Sequence, residues 1–507
     1  MGHFAALISL TDHRVPLAGL EPALPAPEAG ALSTELQRRS PLSVALGRLL
    51  AACPPPSRGW IGRGRRGCRW RDSTLEAVSS QTADPADPVA QHLLPSSATI
   101  GDEGHLSIGG CDVVDLARTH GTPLFIYDEE HLRARCREAA TAFGDGTAYA
   151  TKAFLCTAMA RLVADEGLCL DVASGGELHT VLRAGVDASR VVLHGNNKSD
   201  AELTSALEHG VRRVIIDSVD EIDRLDRIAS GERQKVLLRV TPGVEAHTHE
   251  FVRTGQEDSK FGLSIASGAA HAAIDRLRGS SAVELVGIHA HIGSQVFDVS
   301  SFAQAAEVLA RFFVPLDLAE LCVGGGLGVA YLNEEAAPSI TEWAAATHEA
   351  LRAAGVPDDV EVTAEPGRAI AAQAAVTVYS VGTIKRLPDI RTYLAVDGGM
   401  SDNPRPVLYG SGYEAFDPAR TSDRRPEVVR VVGKHCESGD VILPDAHIPE
   451  GMGIGDLLAT PVTGAYGYSM ASTYNKVPRP EVLFAADGVA RTVVRRETLE
   501  DLASLDA

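Results

Sequence analysis

Tyr149-Ala150-Thr151-Lys152-Ala153-Phe154 closes a short apolar run on a lysine. Runs of the same design recur downstream, each ending in polar or glycine-rich residues. Alternation and β-branched content predict strands over 148–153, 168–173, 191–195, 214–218, 236–240, 285–291, 321–323 and 361–364. Amphipathic helical stretches, such as 200–209 and 302–313, lie between them. Eight strand–helix alternations over roughly 240 residues have the size and repeat of a closed (β/α)8 barrel. A doubly wound open sheet is the second choice, because periodicity does not report closure.

Outside that core the pattern changes. Upstream, residues 106–127 read as a strand, a short helix (113–120) and a second strand (123–127). Beyond about residue 383 the helices stop. Short β-rich runs at 393–396, 428–432, 457–459, 482–485 and 492–495, separated by Gly, Pro and Asp turns, predict an all-β domain. The first 71 residues carry ten arginines, no lysine and four acids, a balance of +6 against −26 for the remainder. With Cys53-Pro54-Pro55-Pro56, Arg63-Gly64-Arg65-Arg66 and no sustained period, this region is expected to be disordered. A transit peptide, a basic interaction tail and an over-extended gene start are the three readings of it; the last is preferred. The expected organisation is an α/β protein: a basic, Pro-rich extension over 1–96, N-terminal strands over 97–130 joining the β domain, the barrel over 131–383 and the β domain over 384–507.

Composition excludes several functions. The chain has 507 residues, 45% of them apolar, and a net charge of −20, which argues against nucleic-acid binding. The longest stretch without charged residues, 457–475, is interrupted by Pro461, Gly464 and Gly467 and is no membrane span. The eight cysteines form no C-x-x-C pair, so neither a zinc framework nor a disulfide framework is expected, and the setting is read as cytoplasmic.

In a barrel, the residues at the carboxyl ends of the strands share one mouth. Lys152 ends the first strand; one good reason to hold an ammonium there is a Schiff base with an aldehyde cofactor. The second ends in Asp171-Val172-Ala173-Ser174-Gly175-Gly176-Glu177, where Ser174 and Glu177 have capping-box spacing. The third ends in His194-Gly195-Asn196-Asn197-Lys198 and the fifth in Arg239; each alone reads as mouth lining or an ion pair. The sixth gives His289-Ala290-His291-Ile292-Gly293-Ser294-Gln295. Two histidines without a carboxylate pair are weak grounds for a metal, and none is expected, whereas an imidazole can stack on a flat aromatic cofactor. Gly324-Gly325-Gly326-Leu327-Gly328 lets backbone amides approach a phosphate. Glu365-Pro366-Gly367-Arg368 adds a carboxylate for a pyridine nitrogen and a guanidinium for a phosphate. Taken together, in this order, the set suits pyridoxal 5'-phosphate.

From about residue 97 to the C-terminus the chain resembles the diaminopimelate decarboxylases, barrel-type pyridoxal-phosphate enzymes that share a fold with alanine racemase. The matching stretches are YATKAF, HGNNKS, GVEAHTHEF, HAHIGSQ, GGGLG, EPGR, DGGMSDNPRPVLYG, KHCESGD and GAYGYS. The resemblance implies that Lys152 holds the cofactor aldehyde and His291 stacks on its ring. It implies that Ser294, Gly325, Gly326 and the loop Glu365, Pro366, Gly367 and Arg368 hold the cofactor, with Tyr466 beside phosphate and substrate. It also implies a homodimer with shared active sites, so that His435-Cys436-Glu437-Ser438 enters the partner's barrel. Cys436 is then the expected proton donor to Cα. A substrate with a second amino-acid head needs a cationic fork and an acid, for which Arg405, with Arg368 and Tyr409 beside it, and Glu437 are the candidates. The expected reaction is loss of CO2 from meso-2,6-diaminopimelate to give L-lysine. The alternatives are a related decarboxylase of arginine, ornithine or carboxynorspermidine, a racemase, against which Glu365 speaks, and a non-catalytic regulatory homologue.

Overall fold

The computed structural model describes residues 84–507 apart from 230, 232 and 245–258. Residues 1–83 of the expected extension, with Cys53 and Cys68, lie outside these, as does most of the GVEAHTHEF stretch.

The strand expectations become a parallel sheet in chain order. Ala148–Ala150, Cys169–Val172, Val191–Leu193, Arg213–Ile216, Gln234–Thr241, Val283–His289, Glu320–Cys322 and Glu361–Thr363 each pair with the next. Two backbone bonds bring the last strand round to the first: Ala148 N–H to Ala364 O at 3.0 Å and Ala150 N–H to Pro366 O at 3.2 Å. The sheet is therefore a barrel, not an open doubly wound sheet. The first strand is shorter than the expected 148–153: it ends at Ala150, and Lys152 lies two residues beyond it, in the 3-10 turn Thr151–Ala153.

Helix ends follow local chemistry. Asp200–His209 starts at a capping box in which Ser199 accepts from Glu202 N–H, and stops at Gly210 with φ of 69°. Gly175–Arg183 begins at Ser174, whose hydroxyl accepts from Glu177 N–H at 3.2 Å; the capping reading of that pair is the one observed.

The second layer of structure is an eight-stranded, mostly antiparallel sheet. Its spine is Ala375–Leu387, which pairs with Leu124–Asp128 and Leu457–Pro461 near its start and with Arg391–Val396 towards its end. Glu481–Ala486 and Val489–Val494 continue it beyond Leu124–Asp128, while Glu427–Val432 and Val441–Ile448 continue it on the other side. This spine was not foreseen as a strand, nor was Val441–Ile448.

The extension needs one correction. Residues 84–96 are built into the fold. Leu93 and Leu94 are buried. The buried Arg425 guanidinium donates to Asp87 O at 2.7 Å and Ala415 O at 3.0 Å, and pairs with Glu414 at 2.6 Å. Asn333 clamps the same segment, donating to Pro88 O at 3.0 Å and accepting from Ala90 N–H at 2.8 Å. Proline-rich composition concealed a strap whose carbonyls satisfy a buried cation.

Candidate active site

Close packing of three strand ends gathers the site. A Cβ on Gly324, Gly325 or Gly326 would lie 2.3 Å from the carbonyl oxygens of Ala290, Glu365 and Gly293, respectively. Only glycine permits that approach, and it sets His291, Ser294 and Glu365 side by side. The Gly325 N–H is already committed to His291 Nδ1 at 3.1 Å. Gly367 closes the ring of contacts, because its Cβ would lie 3.0 Å from Ala150 Cβ. Lys152, Glu365 and Arg368 thereby face one cavity of about 410 Å³.

Lys152 is open to that cavity at its side chain while protein surrounds it. Burial works against its charge, but Asp171, Tyr466 and Glu365 outweigh that and hold its pKa above the ordinary lysine value. The loop after Leu457–Pro461 is stapled to its turn: Tyr466 N–H donates to Ala153 O at 2.8 Å, and the Ser469 hydroxyl lies 3.0 Å from both the Lys152 and Ala153 carbonyls.

The floor is a buried carboxylate with two imidazoles. His194 Nε2 meets Glu365 Oε1 and His289 Nε2 meets Glu365 Oε2, both at 2.9 Å, and the Cys322 thiol donates to Oε1 at 3.5 Å. Burial alone would raise the Glu365 pKa; His194 and His289 overcome it and hold the carboxyl well below the usual range. Burial pushes Asp171 up to about 6, with the Glu365 charge adding to it and His194 opposing. Burial likewise lowers His289 to about 4, so it is a neutral donor at neutral pH. His291 is lowered well below its usual value by burial and by the Lys152 and Arg239 cations. The donor atoms of His194, His289 and Glu365 lie within 4.8 Å of one another, a spacing that would also suit a metal ion. A metal there would have to displace both 2.9 Å hydrogen bonds.

The opposite wall is cationic. Arg368 donates to Tyr331 Oη at 2.8 Å and Ser294 Oγ at 2.9 Å, and lies 4.7 Å from the Tyr466 ring centroid. Arg405, buried at the start of the short helix Arg405–Tyr409, donates to Tyr413 Oη at 2.5 Å and Ser411 Oγ at 3.1 Å. Among the described residues neither guanidinium is paired with a carboxylate, and Arg368 Nε has no partner at all. Two permanently charged groups with neutral partners, in one cavity, form a site for anions.

Of the residues singled out in the sequence, Lys152, His291, Ser294, Gly326 and the loop 365–368 line this cavity. So do Arg405, Tyr409 and Tyr466. Gly325 stands behind it. Cys436 and Glu437 do not line it; both are exposed, on the turn between Glu427–Val432 and Val441–Ile448. Tyr331, Tyr413 and Cys322 carry contacts that sequence reasoning missed, each being a single residue outside any chemical pattern.

The barrel, the lysine turn and the cationic wall are those of a pyridoxal-phosphate fold, and the comparisons with known proteins give the class, the pyridoxal-dependent decarboxylases. The family described as pyridoxal-dependent decarboxylase, pyridoxal binding domain, matches residues 129–372. Diaminopimelate decarboxylase of Mycobacterium tuberculosis is 47% identical over 441 residues, covering 82% of this chain and 98% of that protein. The Bacillus subtilis enzyme of the same name is 45% identical over 433 residues, with 82% and 98% coverage. The solved diaminopimelate decarboxylase of M. jannaschii superposes with a TM-score of 0.75 at 32% identity, covering 82% of this chain and 98% of that one. The chain belongs to the diaminopimelate decarboxylase family. No helix among the described residues is long and apolar enough to cross a membrane.

Proposed function

We propose that this chain decarboxylates meso-2,6-diaminopimelate to L-lysine and CO2 with pyridoxal 5'-phosphate, the lysine-forming step of amino-acid biosynthesis. The observation that carries it is the pair of guanidiniums, Arg368 and Arg405, which have no carboxylate partner among the described residues and face the cavity that holds Lys152. The residues fit the cofactor: an amine for its aldehyde, an ionised acid at the floor for its ring nitrogen, and at Arg368 an unpartnered Nε–H beside Ser294 for its phosphate.

Bound pyridoxal phosphate supplies the sink for the electron pair left when CO2 departs. Lys152 would hold the cofactor through its aldehyde. His291, kept neutral and held by the Gly325 N–H, would offer a flat face to the ring, and Gly326, Pro366 and Gly367 line the pocket beside it. Glu365, fixed by His194 and His289, stays ionised and so favours a protonated ring nitrogen. Arg405, with Tyr409 beside it, receives the far carboxylate, and Tyr466 packs on Arg368.

The proton for Cα comes from Cys436, and Glu437 binds the far ammonium, both contributed by a second copy of the chain. Their exposure, and their absence from their own chain's cavity, support a homodimer with shared sites. The other five described cysteines are buried free thiols, which favours a reducing, cytoplasmic setting.

Arg405→Ala tests the substrate. Losing a buried guanidinium–carboxylate pair is expected to lower kcat/KM for meso-diaminopimelate by about 10²–10⁴-fold while cofactor binding persists. Unchanged kcat/KM would move the substrate to a diamino acid without a second carboxylate.

A further inference from the structure

Tyr331 follows the glycine loop of the seventh barrel strand and is 4% exposed, behind the cavity wall. One phenol touches both cationic groups of the site. Its hydroxyl accepts from Arg368 Nη1 at 2.8 Å, and its ring centroid lies 4.3 Å from Arg405 Cζ. Its edge meets Tyr413 at 5.1 Å and 82°, and the Tyr413 hydroxyl accepts from Arg405 Nη1 at 2.5 Å.

Two like charges brought to one cavity repel, and something must hold them. A carboxylate between them would do so by neutralising them and filling their donor forks. A phenol does it with no net charge, accepting a hydrogen bond at oxygen while its ring face stabilises the second cation. Both guanidiniums keep donors free for anions, at a spacing set by a rigid ring. We propose that Tyr331 is a positioning residue that couples the phosphate end of the site to the far-carboxylate end, fixing how far apart the two anions can sit. This rests on the reading of Arg368 and Arg405 given above, and it makes selection for a substrate with a second carboxylate depend on a residue that does not line the cavity.

Two substitutions separate the two contacts. Tyr331→Phe removes the hydroxyl and keeps the ring. The dissociation constant of pyridoxal phosphate from the apoenzyme, read by fluorescence titration, is expected to rise roughly tenfold, with KM for meso-diaminopimelate within about threefold. Tyr331→Leu removes both, and KM is expected to rise a further tenfold or so with kcat within about threefold. Tyr413→Phe, which touches Arg405 alone, is expected to raise KM and leave cofactor binding unchanged. A Tyr331→Phe variant that leaves cofactor binding unchanged, or a Tyr331→Leu variant that moves neither constant, would overturn the proposal. If the leucine variant does not fold, the double variant Tyr331→Phe/Tyr413→Phe decides: effects that depart from the product of the two single-variant effects support coupling, and effects that simply multiply contradict it. Failure of the wild-type enzyme to turn over diaminopimelate would sink the substrate reading separately, and the cofactor titrations would still report on the Arg368 contact.

Discussion

At the scale of single residues, buried titratable groups show how the site keeps its charges. His289 and His131, each lowered to about 4 chiefly by burial, are neutral when folded and would be charged below about pH 6.5 when unfolded. Their contribution to stability is therefore lost as pH falls from about 6.5 towards 4. Asp402 and Asp171, raised to about 7 and about 6 chiefly by burial, have the opposite sign. Each is neutral in the fold where the unfolded chain is ionised, so stability falls as pH rises from about 4 through those values. Asp402 is bound by Gly399 N–H at 2.8 Å and by the Tyr379 hydroxyl at 2.7 Å, with Asp397 and Asp440 adding negative charge nearby. The two sets offset, giving a shallow profile between pH 4 and 7. Asp402→Asn should unmask the histidines: urea unfolding is expected to show stability rising with pH more steeply than in the wild type, by on the order of 2–4 kcal/mol across that window. Lys152, Glu365 and Arg368 stood out in the sequence because they follow predicted barrel strands in one order, and Arg405 because it lies in a stretch that resembles the family; all four face one cavity. Tyr331, in Ala330-Tyr331-Leu332, was not, because a lone tyrosine after an apolar stretch reads as core and its partners are 37 and 74 residues away in the chain.

At the scale of elements, caps and terminators were the reliable signals. Val113–His120 starts at Asp112, which accepts from Asp115 N–H, and ends before Gly121 with φ of 72°; Asp200–His209 is bounded the same way. Ala375–Leu387 was concealed because it follows Ala369-Ile370-Ala371-Ala372-Gln373-Ala374, where alanine favours helix, and its strand character comes from the neighbours it pairs with along its length. The strap at 84–96 was concealed for a related reason: its order comes from Arg425 and Asn333, more than 240 residues away. It braces Asn333 and Glu414, adjacent to the two tyrosine-bearing segments around Arg405. Arg425→Ala would leave Glu414 without its cation and the strap carbonyls of Pro85 and Asp87 without their donor. Chemical denaturation should show a loss of about 3–5 kcal/mol, the range for breaking a buried pair from one side.

At the scale of the whole molecule, one acidic side chain joins the segments proposed to serve two different active sites. Asp440 accepts from Met400 N–H at 2.7 Å, from His435 N–H at 2.9 Å and from His435 Nδ1 at 2.8 Å. It ties the turn carrying Cys436 and Glu437 to the segment leading to Arg405, so the groups offered to the chain's own cavity and those offered outward share one support. If sites are shared between copies, Lys152→Ala and Cys436→Ala homodimers should each be nearly inactive, and co-refolding equal amounts should restore about a quarter of wild-type activity through mixed dimers. No recovery would place both groups in the same chain's site. The barrel was readable from its eight repeats, whereas the second copy is not a property of one sequence or one chain.

The decisive measurement is the visible absorption spectrum of the purified protein with pyridoxal phosphate, followed by assay of CO2 and L-lysine after adding meso-diaminopimelate. A bound-cofactor band that Lys152→Ala abolishes, with CO2 and L-lysine released in equal amounts, is the expected result. A band with no L-lysine would contradict the substrate assignment, and no band at all would contradict the reading of Lys152, Glu365 and Arg368 as a cofactor site.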